Sequence, residues 1–383
     1  SYVWVLDRQS LQTYRLAPRA EIEQAARHAY ELVTSRATNV PRETAAARAR
    51  RIAASDAALP AALRRVSDLV LAPITAFPTT TRLLVVADGA LQYLPFEMLP
   101  APRRAQAPPL VVDFEITALP SASTLAVHRT QLARRPMPTK GVAVFADPVF
   151  TASDARVQLT ASRVASAAPA ASDAQTRLLT QTDDTATPGF GNIARLRFTD
   201  DEAKAILAAA QGRQNLSAIG FDATKAAAVD QGLGAYRYLH FATHGFLDTA
   251  RPSLSAIALS LVGPDGTPQE GFLRAHELYN LNLSADLVVL SACETGLGKE
   301  IRGEGLIGLT RAFMYAGAAR VIVSLWSVCD RATSSLMSRL YREMLRNGRT
   351  PAASLRAAQL ALRSDARWRH PYYWAAFTIQ GDL

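Results

Sequence analysis

The spacing of apolar positions divides the chain into strand-like and helix-like stretches. Residues 1–16 read as two short strands, Tyr2–Leu6 and Leu11–Leu16, folded about Asp7-Arg8. From 19 to 72, Ala, Leu and Ile recur every three or four positions with Arg between them, which predicts helix, and Pro41 and Pro60 are the expected breaks or helix starts. Arg82–Asp88 is a buried-type strand running into Gly89, followed by Leu91–Leu99 with Pro95 inside it. Leu110–Leu119 reads as another strand and Ser121–Arg134 as a helix, completing a first α/β unit over 1–134. After a Pro-containing bridge at 135–140, the strand Gly141–Asp147 opens a second unit over 135–383.

From about 150 to 195 the chain is rich in Ala, Ser, Thr, Asp and Gln and has little period. That composition buries little surface and predicts a long mobile surface loop. Beyond it the expected order is helix 200–210, strand 215–219, helix 222–231, strands 236–242 and 255–262, and a turn at Gly263–Gly266. Helix 274–279, strand 286–292, helix 303–316, strand 320–326 and helices 331–347 and 351–363 follow, with a strand-like end at Tyr372–Gln380. Strands alternating with helices predict an α/β fold with a mostly parallel sheet. In such sheets functional groups collect beyond the carboxyl ends of the strands. His244, Cys293 and Asp330 each follow a strand-like run and are expected on that edge, whereas Asp286 opens its strand and belongs at the other.

Composition narrows the function classes. The 383 residues exceed one ordinary core, and 49% are hydrophobic, enough to bury one without help from a membrane. No apolar run is long enough to span a bilayer, and the opening Ser-Tyr-Val-Trp-Val-Leu-Asp is a strand, not a signal peptide. It lacks Met, so the chain is expected to be a piece of a longer protein. Cys293 and Cys329 make no disulfide framework and fit a reducing, cytoplasmic setting. A net charge of +9 invites a nucleic-acid reading, but the basic residues are scattered, with no dense Lys/Arg tract interleaved with aromatics. Membrane and nucleic-acid partners are therefore not expected.

Two strings carry the candidate chemistry: Tyr-Leu-His-Phe-Ala-Thr-His-Gly at 238–245 and Val-Val-Leu-Ser-Ala-Cys-Glu-Thr-Gly at 288–296. Each is an apolar run that stops at a small-residue turn, one delivering His244 and the other Cys293. A thiol and an imidazole at two buried strand ends can supply a cysteine nucleophile and its base. Their separation of 49 positions is close to the roughly 50 residues between the caspase histidine and cysteine. The bland alternative for Cys293 is a buried small hydrophobe, but the turn Glu-Thr-Gly-Leu-Gly after it marks a strand exit. A helix starting near Gly303 would help lower its pKa. The backbone N–H groups of Gly245 and Cys293 are candidates for an oxyanion hole. His240 lies within its apolar run and is expected to pack or bond locally. His276 reads as solvated, and His28, His128 and His370 have no neighbouring site residues. Cys329, among Val neighbours, is expected to pack. The one His-x-x-x-His spacing, His240/His244, is strand-borne and so differently aimed, and no Cys-x-x-Cys, Gly-x-Ser-x-Gly elbow or phosphate-binding loop is present in the sequence, so neither metal nor cofactor is implied.

Several segments in order, His240-Phe-Ala-Thr-His-Gly245, Asp286-Leu-Val-Val-Leu-Ser-Ala-Cys-Glu-Thr-Gly296, Gly303-Glu-Gly-Leu-Ile-Gly-Leu-Thr-Arg-Ala-Phe313, Ser324-Leu-Trp-Ser-Val-Cys-Asp330 and His370-Pro-Tyr-Tyr-Trp-Ala-Ala-Phe377, resemble the CHAT domain. That group of bacterial caspase-like proteases is often found behind tetratricopeptide repeats and is related to separase. Val85-Val-Ala-Asp-Gly-Ala-Leu-Gln-Tyr-Leu-Pro-Phe96 and Leu119-Pro-Ser-Ala-Ser123 extend the resemblance into the first unit. It implies a caspase-haemoglobinase fold, a Cys293–His244 dyad, peptide hydrolysis through a thioester, and a pseudo-protease companion in 1–134. It implies a protein substrate, and a regulatory sensor or tetratricopeptide-like region upstream or in trans, with Glu294–Arg302 as the candidate switch loop. Leu325–Asp330 is similar to the separase stretch whose aspartate receives an arginine, so Asp330 would select Arg or Lys at P1 (the residue before the scissile bond). The competing role for Asp330 is to cap a helix starting at Arg331. Cys329 departs from the acidic residue common at that place. Ser291 stands where caspases and metacaspases use Gln or Asp to shape the specificity pocket, which argues against aspartate specificity. The alternative from another class is a non-catalytic caspase-like scaffold.

Overall fold

The computed structural model describes residues 1–77, 80–103, 107–158, 193–230, 232–246, 251–291 and 304–382. Strands β1 (Tyr2–Leu6) and β2 (Leu11–Arg15) form a separate antiparallel ribbon. Helices α1 (Arg19–Thr34) and α2 (Ala45–Val70) follow, then β3 (Arg82–Val85), β4 (Glu115–Ala118), α3 (Ala122–Arg134) and β5 (Lys140–Ala146). Next come α4 (Thr199–Ala209), β6 (Leu216–Ile219), α5 (Lys225–Asp230), β7 (Tyr236–Ala242), β8 (Gly245–Phe246), β9 (Ala256–Ala258), β10 (Phe272–Arg274) and α6 (Ala275–Leu278). The chain ends with β11 (Leu287–Leu290), α7 (Glu304–Tyr315), β12 (Arg320–Ser324), α8 (Asp330–Leu345), α9 (Pro351–Ser364), α10 (Pro371–Trp374) and β13 (Phe377–Gly381).

The fold is mixed α/β, as the alternation predicts, built on an eight-stranded sheet ordered β3-β4-β13-β12-β11-β7-β5-β6. Strands β12, β11, β7, β5 and β6 are mutually parallel, and β3, β4 and β13 are parallel to one another. The two blocks meet at the antiparallel pair β12/β13, so β3 and β4, from the 1–134 segment, run against the main block within the same sheet. Helices cover both faces. On β7, His240 reaches α4 and α8 through Glu202 and Tyr341, whereas the next residue, Phe241, packs on Phe313 of α7. The two-residue alternation of a strand thus assigns one helical layer to each face. Residues of β5, β7, β11 and β12 are almost wholly buried, which is why these runs read as continuously apolar.

Local differences from the sequence reading have physical reasons. Pro60 does not break its helix but lies inside α2. Leu59, Leu63, Val66 and Val70 form a buried stripe along α2, and this packing outweighs the ~3 kcal/mol a proline costs in a helix interior. Leu110–Leu119 is not one strand: Leu110–Val112 is a 3-10 turn after Pro109, and only Glu115–Ala118 pairs. The expected strand 255–262 shortens to Ala256–Ala258, which joins β8 and β10 in a small antiparallel sheet. The C-terminal segment begins with the short helix α10 before β13. Residues 159–192 lie outside the described residues, but both flanks of that stretch are tied down: Val157 is buried with Val149 and Val262, and Ile193 packs on the Phe150, Phe246 and Phe272 cluster.

Candidate active site

The parallel strands β5, β7, β11 and β12 deliver Asp147, His244, Ser291 and Asp330 just beyond their carboxyl ends. Asp286, immediately before β11, lies at the opposite edge as expected, paired with Arg135 and Arg237. Register ties the central exits together. Leu290 is paired with Phe241, and the Ser291 N–H donates to the Phe241 carbonyl at 3.0 Å. The chain therefore leaves β11 beside the end of β7, two residues before His244's own turn begins. Cys293 falls within 292–303 and lies outside the described residues, as does the Glu294–Arg302 segment.

His244 is held from several sides. Its carbonyl accepts from Ala258 N–H at 2.9 Å, and the Thr243 hydroxyl donates to the Ala258 carbonyl. The ring lies against Phe150 and Phe246, with centroids at 5.5 and 6.3 Å, and the residue is only 4% exposed. Nε2 is 2.7 Å from the Ala194 carbonyl. A carbonyl only accepts, so Nε2 carries the proton there. Gly245 lies opposite Ile257 in the β8/β9 ladder. Because Ala258 N–H bonds the His244 carbonyl, the Gly245/Ile257 pair is the non-hydrogen-bonded one, and the Gly245 N–H is left out of the ladder. Ser291 is buried, and its hydroxyl makes no hydrogen bond among the described residues.

Asp330 is the first residue of α8, not its cap. Cys329 occupies the N-cap position without a side-chain bond, and the Asp330 carboxylate instead accepts the Phe198 N–H at 2.9 Å. Burial pushes the Asp330 carboxyl up; the Phe198 N–H and nearby His244 oppose this, while Glu202 and Asp147 reinforce it. Cys329 is exposed, contrary to the packing role expected of it, because β12 ends at Ser324 and residues 325–329 are an irregular connection to α8 instead of continuing the buried strand.

Two clusters escaped the sequence reading. His240 is fully buried, and its partners are distant rather than local: Nε2 is 2.7 Å from Glu202 Oε1 and Nδ1 is 3.2 Å from the Tyr341 hydroxyl. Burial, reinforced by Glu202, holds the Tyr341 hydroxyl well above its usual range, so it stays protonated beside Nδ1. Asp147 is also buried, and accepts Arg195 through two bonds, Nε–Oδ1 at 2.8 Å and Nη2–Oδ2 at 2.6 Å, with Arg156 at 2.9 Å. The one available signal for Asp147 was its place at the end of a strand adjacent to the histidine strand. Residues 193–198 thus form a strap across the edge, touching Asp147, His244 and Asp330 in turn. Among the described residues, no three His, Cys, Asp or Glu side chains are grouped to hold a metal ion, and no helix is long and apolar enough to cross a membrane.

Solved structures to which this chain shows similarity include the Arg specific cysteine proteinase gingipain R, with a TM-score of 0.37 and 10% identity over 70% of this chain and 53% of that one. The Saccharomyces cerevisiae separase–securin complex is similar at a TM-score of 0.43 and 11% identity, over 96% of this chain and 22% of that one. Among curated proteins, tetratricopeptide repeat protein 28 of Mus musculus is 40% identical over 114 residues, 30% of this chain and 5% of its own length. The Homo sapiens protein of the same name is 37% identical over 114 residues, 30% of this chain and 4% of its own length. This chain therefore spans only a small part of those relatives. The model described as CHAT domain matches residues 60–382, and the chain belongs to that family.

Proposed function

We propose that this chain is a cysteine endopeptidase in which Cys293 is the nucleophile and His244 its acid–base partner. The observation that carries the reading is the adjacency of the two strand exits: β11, leading to Cys293, leaves the sheet beside β7, leading to His244. In this mechanism the Cys293 thiolate attacks the scissile carbonyl carbon and forms a tetrahedral intermediate. The Gly245 N–H, free of the β8/β9 ladder, stabilises its oxyanion together with the Cys293 N–H. Collapse breaks the C–N bond, and His244 gives its proton to the departing amine. Water, deprotonated by His244, then hydrolyses the thioester and restores the thiol. A carboxylate at this edge would favour a basic P1 residue in a protein substrate, and Asp330, with Ser291 nearby, is the one the sequence offers for that role.

The same reading includes gating. With Ala194 seated on Nε2, His244 has no access to a substrate nitrogen, so activity requires the strap to leave. A sensor or tetratricopeptide-like region, in cis or in trans, acting on the strap or on Glu294–Arg302, would supply that signal in a reducing, cytoplasmic setting. Residues 1–134 would serve as the companion unit to 135–383. The buried, engaged state of His244 is also what favours the second reading, a non-catalytic scaffold. Profiling cleavage of a peptide library by the wild-type chain and Cys293→Ala decides between them. Weak cleavage after Arg or Lys by the chain alone, lost in Cys293→Ala, is expected. Full cleavage by that variant would remove the mechanism, and an alkylation-resistant Cys293 with no cleavage by the wild type would favour the scaffold.

A further inference from the structure

We infer that Asp147 is the carboxylate that receives an arginine side chain of the substrate, and that Arg195 of the chain's own strap occupies that place in this structure. The inference rests on the peptidase reading above and names the specificity-determining residue of that site.

Charge is the first argument. Asp147, Asp154 and Arg156 form a cluster in which Arg156 bonds both carboxylates, at 2.9 Å to Asp147 Oδ2 and 2.8 Å to Asp154 Oδ2. One guanidinium against two carboxylates leaves the group one positive charge short of neutrality. The Asp147 side chain is 5% exposed, and a carboxylate so buried calls for a compensating cation. Arg195 supplies it in a two-bond fork, the geometry that suits arginine better than lysine. The Arg195 side chain remains 41% exposed, so the guanidinium enters from the solvent side and belongs to the strap, not to the core.

Position is the second argument. The residue before Arg195 places its carbonyl 2.7 Å from His244 Nε2. The strap therefore puts the peptide bond that precedes an arginine on the candidate catalytic imidazole, one bond away from the one a cut after that arginine would break, and the arginine itself on a buried carboxylate beyond the neighbouring strand. Asp147 itself has φ +49°, a conformation that non-glycine residues seldom adopt and that concentrates at functional sites. Asp330 lies on the same edge, but what the strap gives it is a backbone N–H, that of Phe198, and not a guanidinium.

The test uses the full chain carrying Cys293→Ala, which leaves binding as the readout and removes cleavage. Calorimetry would follow Nα-acetyl-arginine methylamide and its citrulline counterpart, an uncharged analogue of similar shape. Arg195→Ala is expected to bind the arginine probe at least tenfold more tightly than the parent and to ignore citrulline. Adding Asp147→Asn, which tolerates the positive φ, should remove the gain, whereas adding Asp330→Asn should keep it. No gain in Arg195→Ala, equal binding of citrulline, a gain that survives Asp147→Asn, or one lost with Asp330→Asn would each overturn the assignment. If Asp147→Asn does not fold by circular dichroism, the citrulline contrast and the Asp330→Asn arm still decide. Failure here with Cys293-dependent cleavage intact would discard Asp147 alone; absence of that cleavage would count against the peptidase reading alone.

Discussion

Replacing Glu97 with Gln tests whether the chain keeps a neutral carboxylic acid inside its core. Glu97 is 3% exposed, and its Oε1 has no hydrogen-bond partner among the described residues. It lines a cavity with Val85, Leu91, Ile116, Leu119 and Thr378. Burial pushes its carboxyl up from 4.5 to about 7, against weak opposition from its own backbone and the Thr378 hydroxyl. A native pKa above the unfolded one means that the folded chain binds the extra proton. The stabilisation is complete below the unfolded value and is lost as pH rises through the native one. A shift from 4.5 to about 7 corresponds to about 3 kcal/mol, most of it lost between pH 5 and 8. Gln cannot ionise, so Glu97→Gln should remove this component and leave the other titrations in place. Urea denaturation of both proteins across that range gives the difference directly. The wild type should lose about 2–3 kcal/mol relative to the variant on going from pH 5 to 8. A difference that stays flat with pH would show that the carboxyl is solvated and that the burial argument fails.

Further outcomes follow from the site. Cys293→Ala should abolish peptide cleavage while leaving the far-ultraviolet circular dichroism and melting temperature unchanged. Glu202→Ala, which strands His240 Nε2 in a fully buried layer, should cost about 3 kcal/mol by chemical denaturation, and Glu202→Gln, which retains an acceptor, clearly less. Asp330→Asn keeps an acceptor for the Phe198 N–H whereas Asp330→Ala does not, so amide exchange at Phe198 should accelerate only in the alanine variant. In peptide cleavage, equal loss of basic P1 preference in both Asp330 variants would mark a charge role separate from that tether.

The sheet was legible because its strands obey one rule. Residues 236–242, 286–292 and 320–326 are apolar on both faces, and only a doubly covered parallel sheet makes use of that pattern. Sorting residues by strand end then placed His244 and Asp330 at one edge and Asp286 at the other. What local pattern could not supply was competition from distant partners. Pro60 looks like a break until the stripe of Leu59, Leu63, Val66 and Val70 is packed against the core. Asp330 follows a strand and precedes a helix, the usual signature of a cap, but the Phe198 N–H, arriving from more than a hundred residues away, claims its carboxylate. His240 was expected to bond locally, and Glu202 and Tyr341, the residues that satisfy it, lie 38 and 101 positions distant. Arg195 carries no local signal either, since it sits at the end of a stretch whose composition resembles linker.

The strap connects these misses. Within residues 193–198, a side chain, a backbone carbonyl and a backbone N–H each meet a different strand end: Arg195 at Asp147, Ala194 at His244 and Phe198 at Asp330. Each contact alone has a modest structural explanation. Their joint occurrence along one edge of the parallel block means that releasing the segment uncovers His244 Nε2 and two carboxylates in one step. The Asp147 contact sets the direction of that equilibrium. With Arg195 withdrawn, the cluster of Asp147, Asp154 and Arg156 carries a net negative charge at a buried position, so the open form is poor until another guanidinium arrives. An arginine-bearing chain entering the site would replace both the strap's charge and its peptide bond, and would thus stabilise the open form through its differential affinity for it. A chain lacking arginine would leave that charge unpaired. Selectivity and release of the strap are then one equilibrium, and the Arg195→Ala substitution should loosen both together.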